Sequence, residues 1–338
     1  MNYSFPKLLE TLVAGQGLVL ATVVEAEGST PQVVGASAVF SKAGLEAGTV
    51  GGGLLEAKVE AAAAKALADG EARLLAVRLD ADPSDLEGAI CGGAVRVLVD
   101  PGVGAARRAF EAALESLKKR RRGVLSARIV PGRGEAVTVE RRFIEGGTGD
   151  ERPRLTESGE DLRFLEPVEP LPRLIVAGAG HIGRAVAGLG SLLDFSVTVI
   201  DDRAEFANKT NVPEADEIMV GGIGDAVLAI EDSPDNYFVI VTRGHQKDAE
   251  ALRAALGRPA AYVGMIGSRS KVNIMRSEFV ENGWATEAEW ERVHAPIGLD
   301  IGSRTVEEIA ISIAAELVRV RSGADSAATG PAVTGRGK

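Results

Sequence analysis

Three glycines, Gly178, Gly180 and Gly183, stand in the spacing G-x-G-x-x-G, and Asp201 follows Gly178 by 23 residues. That pattern suits a phosphate-bridged ligand. The first glycine allows a tight turn, the second lets the backbone approach a pyrophosphate, and the third lets a helix pack closely on a strand. The acid is placed to bond a ribose hydroxyl. Polar side chains that could join them are His181, Arg243, His245, Asp248 and Ser268. All three histidines, His181, His245 and His294, fall in this half of the chain. Each alone reads equally well as a loop residue capping a helix or bonding backbone. As a group they suggest function, because loops held by a rigid sheet often carry it.

The first half offers a different set. Gly51-Gly52-Gly53 runs straight into an apolar-periodic segment with Glu56 in its first turn. Unpaired N–H groups at a helix start suit a phosphate or another oxyanion. The same glycines would serve a tight turn under a neighbouring strand. Cys91 is the sole cysteine and precedes Gly92-Gly93. It reads either as a small buried hydrophobe or as a thiolate that ligates a soft metal or carries sulfur. No His/Cys/Asp spacing matches a dedicated zinc or calcium site, and neither a P-loop nor a G-x-S-x-G elbow is present.

The elements that must position these residues follow from periodicity. In the second half, residues 174–177, 197–200, 217–220, 237–241 and 260–266 read as strands alternating with helical stretches. This alternation predicts a doubly wound, Rossmann-type parallel sheet, with the candidate polar residues at the C-terminal strand ends facing one crevice. Residues 305–319 read as a long helix with a broad apolar face. In the first half, residues 18–24, 36–40, 74–79, 95–99, 124–130 and 136–142 read as strands. Residues 54–69 and 105–122 read as helices, and 41–48 as a hairpin turn. The expected fold class is α/β: an N-terminal mixed α/β domain over 1–143 and a Rossmann-like domain over 173–321. The Pro-, Gly- and acid-rich stretch 144–172 reads as a linker, with a small hairpin near Ser158-Gly159, and 322–338 as a flexible tail.

Composition sets outer bounds. A chain of 338 residues with 45% hydrophobic and 25% charged residues is ordinary for a globular protein of two domains. A net charge of −10 argues against nucleic-acid or anionic-membrane partners. No apolar run approaches a membrane span, and the N-terminal residues lack the pattern of a secretory signal. With a single cysteine, these features predict a cytoplasmic setting.

Several motifs in order resemble the XdhC/CoxI family. They are Gly28-Ser29-Thr30-Pro31 with Gly35-Ala36, Gly48-Thr-Val-Gly-Gly-Gly53 with Glu56, and Cys91-Gly-Gly93. Further on come Gly178-Ala-Gly-His-Ile-Gly183, Thr242-Arg-Gly-His245 with Asp248, and Tyr262-Val-Gly-Met-Ile-Gly-Ser-Arg-Ser-Lys271. His294-Ala-Pro-Ile-Gly-Leu-Asp-Ile-Gly302 and Glu307 through Glu316 complete the set. The resemblance implies an accessory protein for molybdenum hydroxylases such as xanthine dehydrogenase. Such a protein binds molybdenum cofactor (molybdopterin), presents it to a cysteine desulfurase for sulfuration, delivers it to the apoenzyme, and forms a homodimer. On that reading Cys91 contacts molybdenum or its sulfur. Gly51, Gly52 and Gly53, with Ser29, Thr30 and Glu56, form an anion site. Gly178, Gly180 and Gly183 hold a phosphate and Asp201 a hydroxyl. His181, Arg243, His245, Asp248 and Ser268 line the cleft. Gln32 stands where the family commonly has arginine, which removes a fixed positive charge from the first site. Two other readings are an NAD(P)-dependent oxidoreductase using the Rossmann domain, and a nucleotide-sensing scaffold that binds partners without cofactor.

Overall fold

In the computed structural model, residues 5–79, 93–146, 152–159 and 161–323 are described. The chain divides into two units, Met1–Pro170 and Leu171–Lys338.

The first unit is built on one antiparallel sheet. Its elements are α1 (Phe5–Ala14), β1 (Val19–Glu27), β2 (Ser37–Ser41), β3 (Gly44–Gly48), α2 (Gly53–Asp69), β4 (Ala72–Arg78) and β5 (Ala94–Asp100). After a 3-10 turn at Gly102–Gly104 follow α3 (Arg107–Lys118), β6 (Gly123–Pro131), β7 (Ala136–Glu145), β8 (Arg154–Ser158) and β9 (Asp161–Val168). The nine strands are ordered β3-β2-β1-β5-β4-β7-β6-β9-β8. Residues 19–24 are buried on both faces, because α2 covers one face and α1 with α3 covers the other. Leu55, Val59, Ala63 and Ala66 of α2 follow helical spacing and are buried on Val19, Ala21, Val97 and Val99. Gly70, at φ 75°, ends α2 in a left-handed cap and donates to the Ala66 carbonyl at 2.9 Å.

The second unit holds β10 (Arg173–Ala177), α4 (His181–Leu192), β11 (Ser196–Asp201), β12 (Glu217–Val220), α5 (Ile223–Ala229), β13 (Asn236–Ile240) and α6 (His245–Ala255). It continues with β14 (Tyr262–Met265), α7 (Arg269–Glu281), α8 (Glu287–Trp290), β15 (Val293–His294) and α9 (Val306–Arg321). All strand pairs are parallel, in the order β12-β11-β10-β13-β14-β15. Leu174, Val176, Val197 and Val199 bury against α4 and α9. Ile175, Ala177, Phe238 and Ile240 bury against α5, α6 and α7. Burial on both faces explains why the central strands read as continuous apolar runs. Among the described residues no helix is long and apolar enough to cross a membrane.

The structure differs from the sequence expectations in places. Residues 154–168, expected within a linker, form β8 and β9 and extend the sheet, with only their turn at Ser158-Gly159 anticipated. Two features of β9 hid it. Its inward positions read Leu162, Phe164, Glu166, Val168, so a carboxylate interrupts the apolar alternation, and Pro167 reads as a breaker. That proline lies beyond the last residue paired to β8, opposite Val124 of β6. The stretch 41–48, expected as a turn, contains β3. β15, only two residues long, falls below any periodic signal. The apolar face of α9 is largely core: Ile313 and Leu317 are buried, while Ile311 and Val318 are exposed.

Candidate functional site

The order of the second sheet reverses between β10 and β13, and the loops after these two strands meet there. A Cβ on Gly178 would lie 2.5 Å from the Val241 carbonyl oxygen and 3.0 Å from Thr242 Cα. Gly178 sits at φ 114°, a conformation that favours glycine, and its N–H donates to Ile200 O at 2.7 Å. A Cβ on Gly183 would lie 1.8 Å from Gly178 O, so α4 can seat on the turn only with glycine there. Gly180, by contrast, would meet nothing within 4 Å. It is the N-cap of α4 and supplies no side chain, so the helix N-terminus opens toward free space at the switch point. An open helix N-terminus at such a switch point suits a phosphate-bearing ligand.

The polar residues sort into two groups. His181, Arg243, His245 and Ser268 are exposed at the C-terminal strand ends. The side chains of His181 and Arg243 make no hydrogen bond with any described residue. His245 Nε2 lies 2.6 Å from Glu278 Oε2, and the Ser268 hydroxyl accepts from Lys271 N at the start of α7. Asp201 and Asp248 do not face the crevice as free carboxylates; both are turned into the protein. Asp201 accepts from Ala179 N at 2.8 Å and Arg203 N at 3.0 Å, and it receives the Arg203 fork at 2.9 and 3.0 Å. Burial alone would raise its pKa. The Arg203 fork and the two backbone N–H donors outweigh that and hold it below the usual carboxylate range. Asp201 therefore ties the glycine turn to β11. Arg203, stacked 3.9 Å from the Phe206 ring centroid, takes up the carboxylate that was expected to meet a ligand hydroxyl.

Asp248 is wholly buried. Its Oδ1 accepts from Thr242 Oγ1 at 2.6 Å and Thr242 N at 3.2 Å, and its Oδ2 pairs with Lys271 Nζ. It joins the loop after β13 to α6 and α7. A second network lies outside the residues that spacing singles out. Glu316 of α9 accepts from Tyr262 Oη at 2.6 Å and Gly298 N at 2.8 Å, and its other oxygen lies 3.3 Å from His294 Nδ1. Burial pushes Glu316 up, but His294, Tyr262 and Gly298 outweigh it and hold the carboxyl low. The available signal is a glutamate on the apolar face of α9, between Ile313 and Leu317.

In the first unit, three motifs distant in sequence come together. A Cβ on Gly51 would lie 2.9 Å from Pro31 Cγ, and one on Gly93 would lie 2.4 Å from Ser29 O and 2.9 Å from Thr30 Cγ2. The Thr30 hydroxyl donates to Gln32 O at 2.8 Å, closing its own turn. Cys91 and Gly92 lie outside the described residues. Gly52 and Gly53, at φ 69° and 56°, have open space where a side chain would stand. The expected anion position is filled by the chain itself: Glu56 Oε2 accepts from Gly52 N at 3.1 Å and from Thr49 Oγ1 at 2.8 Å. Val33 and Leu54, exposed by 72% and 43%, flank this turn with apolar surface. Among the described residues no group of three or more His, Cys, Asp or Glu side chains is placed to hold a metal ion.

Comparison with known proteins agrees with this two-part design. The profile of the XdhC Rossmann domain matches residues 174–317, and that of the XdhC and CoxI family matches residues 12–79. The protein YqeB of Escherichia coli (strain K12) is 29% identical over 306 residues, 90% of this chain. The chain spans only 44% of YqeB's length. A protein of Bacillus subtilis (strain 168), named as a probable subunit of xanthine dehydrogenase, is 27% identical, covering 94% of this chain and 98% of that protein. The molybdenum cofactor insertion chaperone PaoD of Escherichia coli (strain K12) is 23% identical, covering 93% and 86% respectively. A crystal structure from Bacillus halodurans, described as a xanthine dehydrogenase, superposes with a TM-score of 0.78 at 27% identity, covering 97% of this chain and 98% of that one. With profiles matching in both units and in chain order, the chain belongs to the XdhC and CoxI family.

Proposed function

We propose that this protein binds molybdenum cofactor as cargo, presents it to a cysteine desulfurase for sulfuration, and delivers it to the apoenzyme of a xanthine-dehydrogenase-type molybdenum hydroxylase. The observation that carries the reading is the convergence of Ser29-Thr30, Gly51 and Gly93 in the first unit. Cys91 stands two residues before Gly93, so a thiol-bearing motif ends beside a glycine turn bordered by apolar Val33 and Leu54. A soft thiolate suits molybdenum or its terminal sulfur. Backbone N–H groups suit a phosphate, and an apolar rim suits a flat heterocycle. The open N-terminus of α4 at Gly180 supplies a phosphate place in the second unit, for a nucleotide or for the pterin phosphate. The name of PaoD supports the same role.

The test is anaerobic incubation of the full chain with molybdenum cofactor, followed by gel filtration and assay of retained molybdenum and pterin. Wild type is expected to retain both, and Cys91→Ala to lose molybdenum or its sulfurated form. Retention of neither by wild type, with tight NAD(P) binding and hydride transfer instead, would sink the proposal in favour of an oxidoreductase.

A further inference from the structure

The face of β6, β7 and β9 that turns away from the core collects arginines. The register sets Ser126 opposite Arg142 and Arg128 opposite both Glu140 and Arg163. Alternation sends Leu125, Ala127, Ile129 and Phe164 to the buried side. Ser126, Arg128, Glu140, Arg142, Ile144 and Arg163 line an open concavity of about 330 Å³. Arg128 is engaged by Asp161 at 2.7 Å and Glu140 at 3.6 Å. Arg142 and Arg163 are exposed and have no carboxylate partner among the described residues.

Two features set this face apart from an ordinary solvated surface. Arg163 stands directly across from Arg128, whose own carboxylate partners Asp161 and Glu140 leave Arg163 and Arg142 without one among the described residues. The cluster also runs against the chain's net charge of −10. We propose that this face docks an acidic polypeptide segment of a partner protein. The planar guanidinium forks of Arg142 and Arg163 match carboxylates in bidentate geometry, and Ile144, 51% exposed, adds an apolar contact. Glu140 and Asp161, interleaved with the arginines, favour discretely spaced carboxylates over a continuous phosphate backbone, which they would repel. The assignment is independent of the cofactor reading.

The test measures fluorescence anisotropy of a labelled glutamate–leucine peptide against the full chain at low and high salt. Wild type is expected to bind, more weakly as salt rises. The double variant Arg142→Glu, Arg163→Glu is expected to lose roughly tenfold or more in affinity, the scale for removing charge-assisted pairs at an interface. Arg163→Thr, which places a good strand former at an exposed strand site, is expected to weaken binding while the thermal transition of the first unit stays or rises. Unchanged peptide affinity in both variants would overturn the proposal. So would competition by oligothymidylate or inorganic phosphate as strong as that of unlabelled peptide.

Discussion

Replacing Glu166 with glutamine should stabilise the first unit at pH 8 and do almost nothing near pH 4.5. The Glu166 carboxyl on β9 is 4% exposed and makes no hydrogen bond with any described residue. Burial pushes its pKa from 4.5 up to about 7, against an opposing pull from Arg141. That guanidinium spends itself on Asp100 at 2.9 Å and leaves its own Nη2 buried without a partner. A carboxyl whose pKa is raised by folding favours the folded state fully below pH 4.5. That advantage is lost as pH climbs through about 7. A rise from 4.5 to about 7, at about 1.4 kcal/mol per unit, comes to roughly 3 to 4 kcal/mol. For a unit of this size that moves the melting temperature by on the order of 10 °C. Calorimetry of wild type and Glu166→Gln at pH 5 and pH 8 reads the effect. Trp284 and Trp290, the two tryptophans of the chain, both lie in the second unit. Their fluorescence follows that unit alone and serves as an internal control. If the first-unit transitions of wild type and variant shift equally between the two pH values, the carboxyl does not hold its proton there and the reasoning fails.

Three further predictions concern the second unit. Gly183→Ala forces a Cβ to 1.8 Å from Gly178 O; it should cost about 3 kcal/mol or more, read as a lowered urea midpoint by tryptophan fluorescence. Gly180→Ala meets no atom within 4 Å and should shift stability by less than about 0.5 kcal/mol in the same assay, while reducing uptake of phosphate-bearing cargo. Asp248→Asn leaves Lys271 without its counter-charge and weakens the hold on Thr242; because Lys271 is partly exposed and can rehydrate, a loss of about 2 kcal/mol is expected. Faster hydrogen exchange at the Thr242 amide should accompany it.

The alternation of apolar runs with helical periodicity makes the parallel sheet legible, because strands buried on both faces need no partner to be recognised. The glycine turn is legible for the same local reason. What stays hidden depends on partners distant in the chain. Glu166 sits at an inward position of β9 and reads as a loop acid until β6 is laid beside it. Asp201 and Asp248 carry the residue type of ligand contacts. Their engagement by Arg203, Thr242 and Lys271 is a matter of side-chain direction that spacing does not encode. Glu56 reads as favourable charge at a helix start; that it folds back onto Gly52 N–H is visible only once the turn is built.

That last contact bears on how readily the α2 N-terminus could take up an anion. The Glu56 carboxylate, 3.1 Å from Gly52 N, is a competitor tethered to its own target. Its local concentration is of millimolar order or above, as for any group on a short link. An anion arriving there would bind only in the fraction of molecules whose carboxylate has swung aside, and its apparent affinity would fall by that fraction. The turn would therefore hold an anion more weakly than its Gly52 N–H would if the carboxylate were absent.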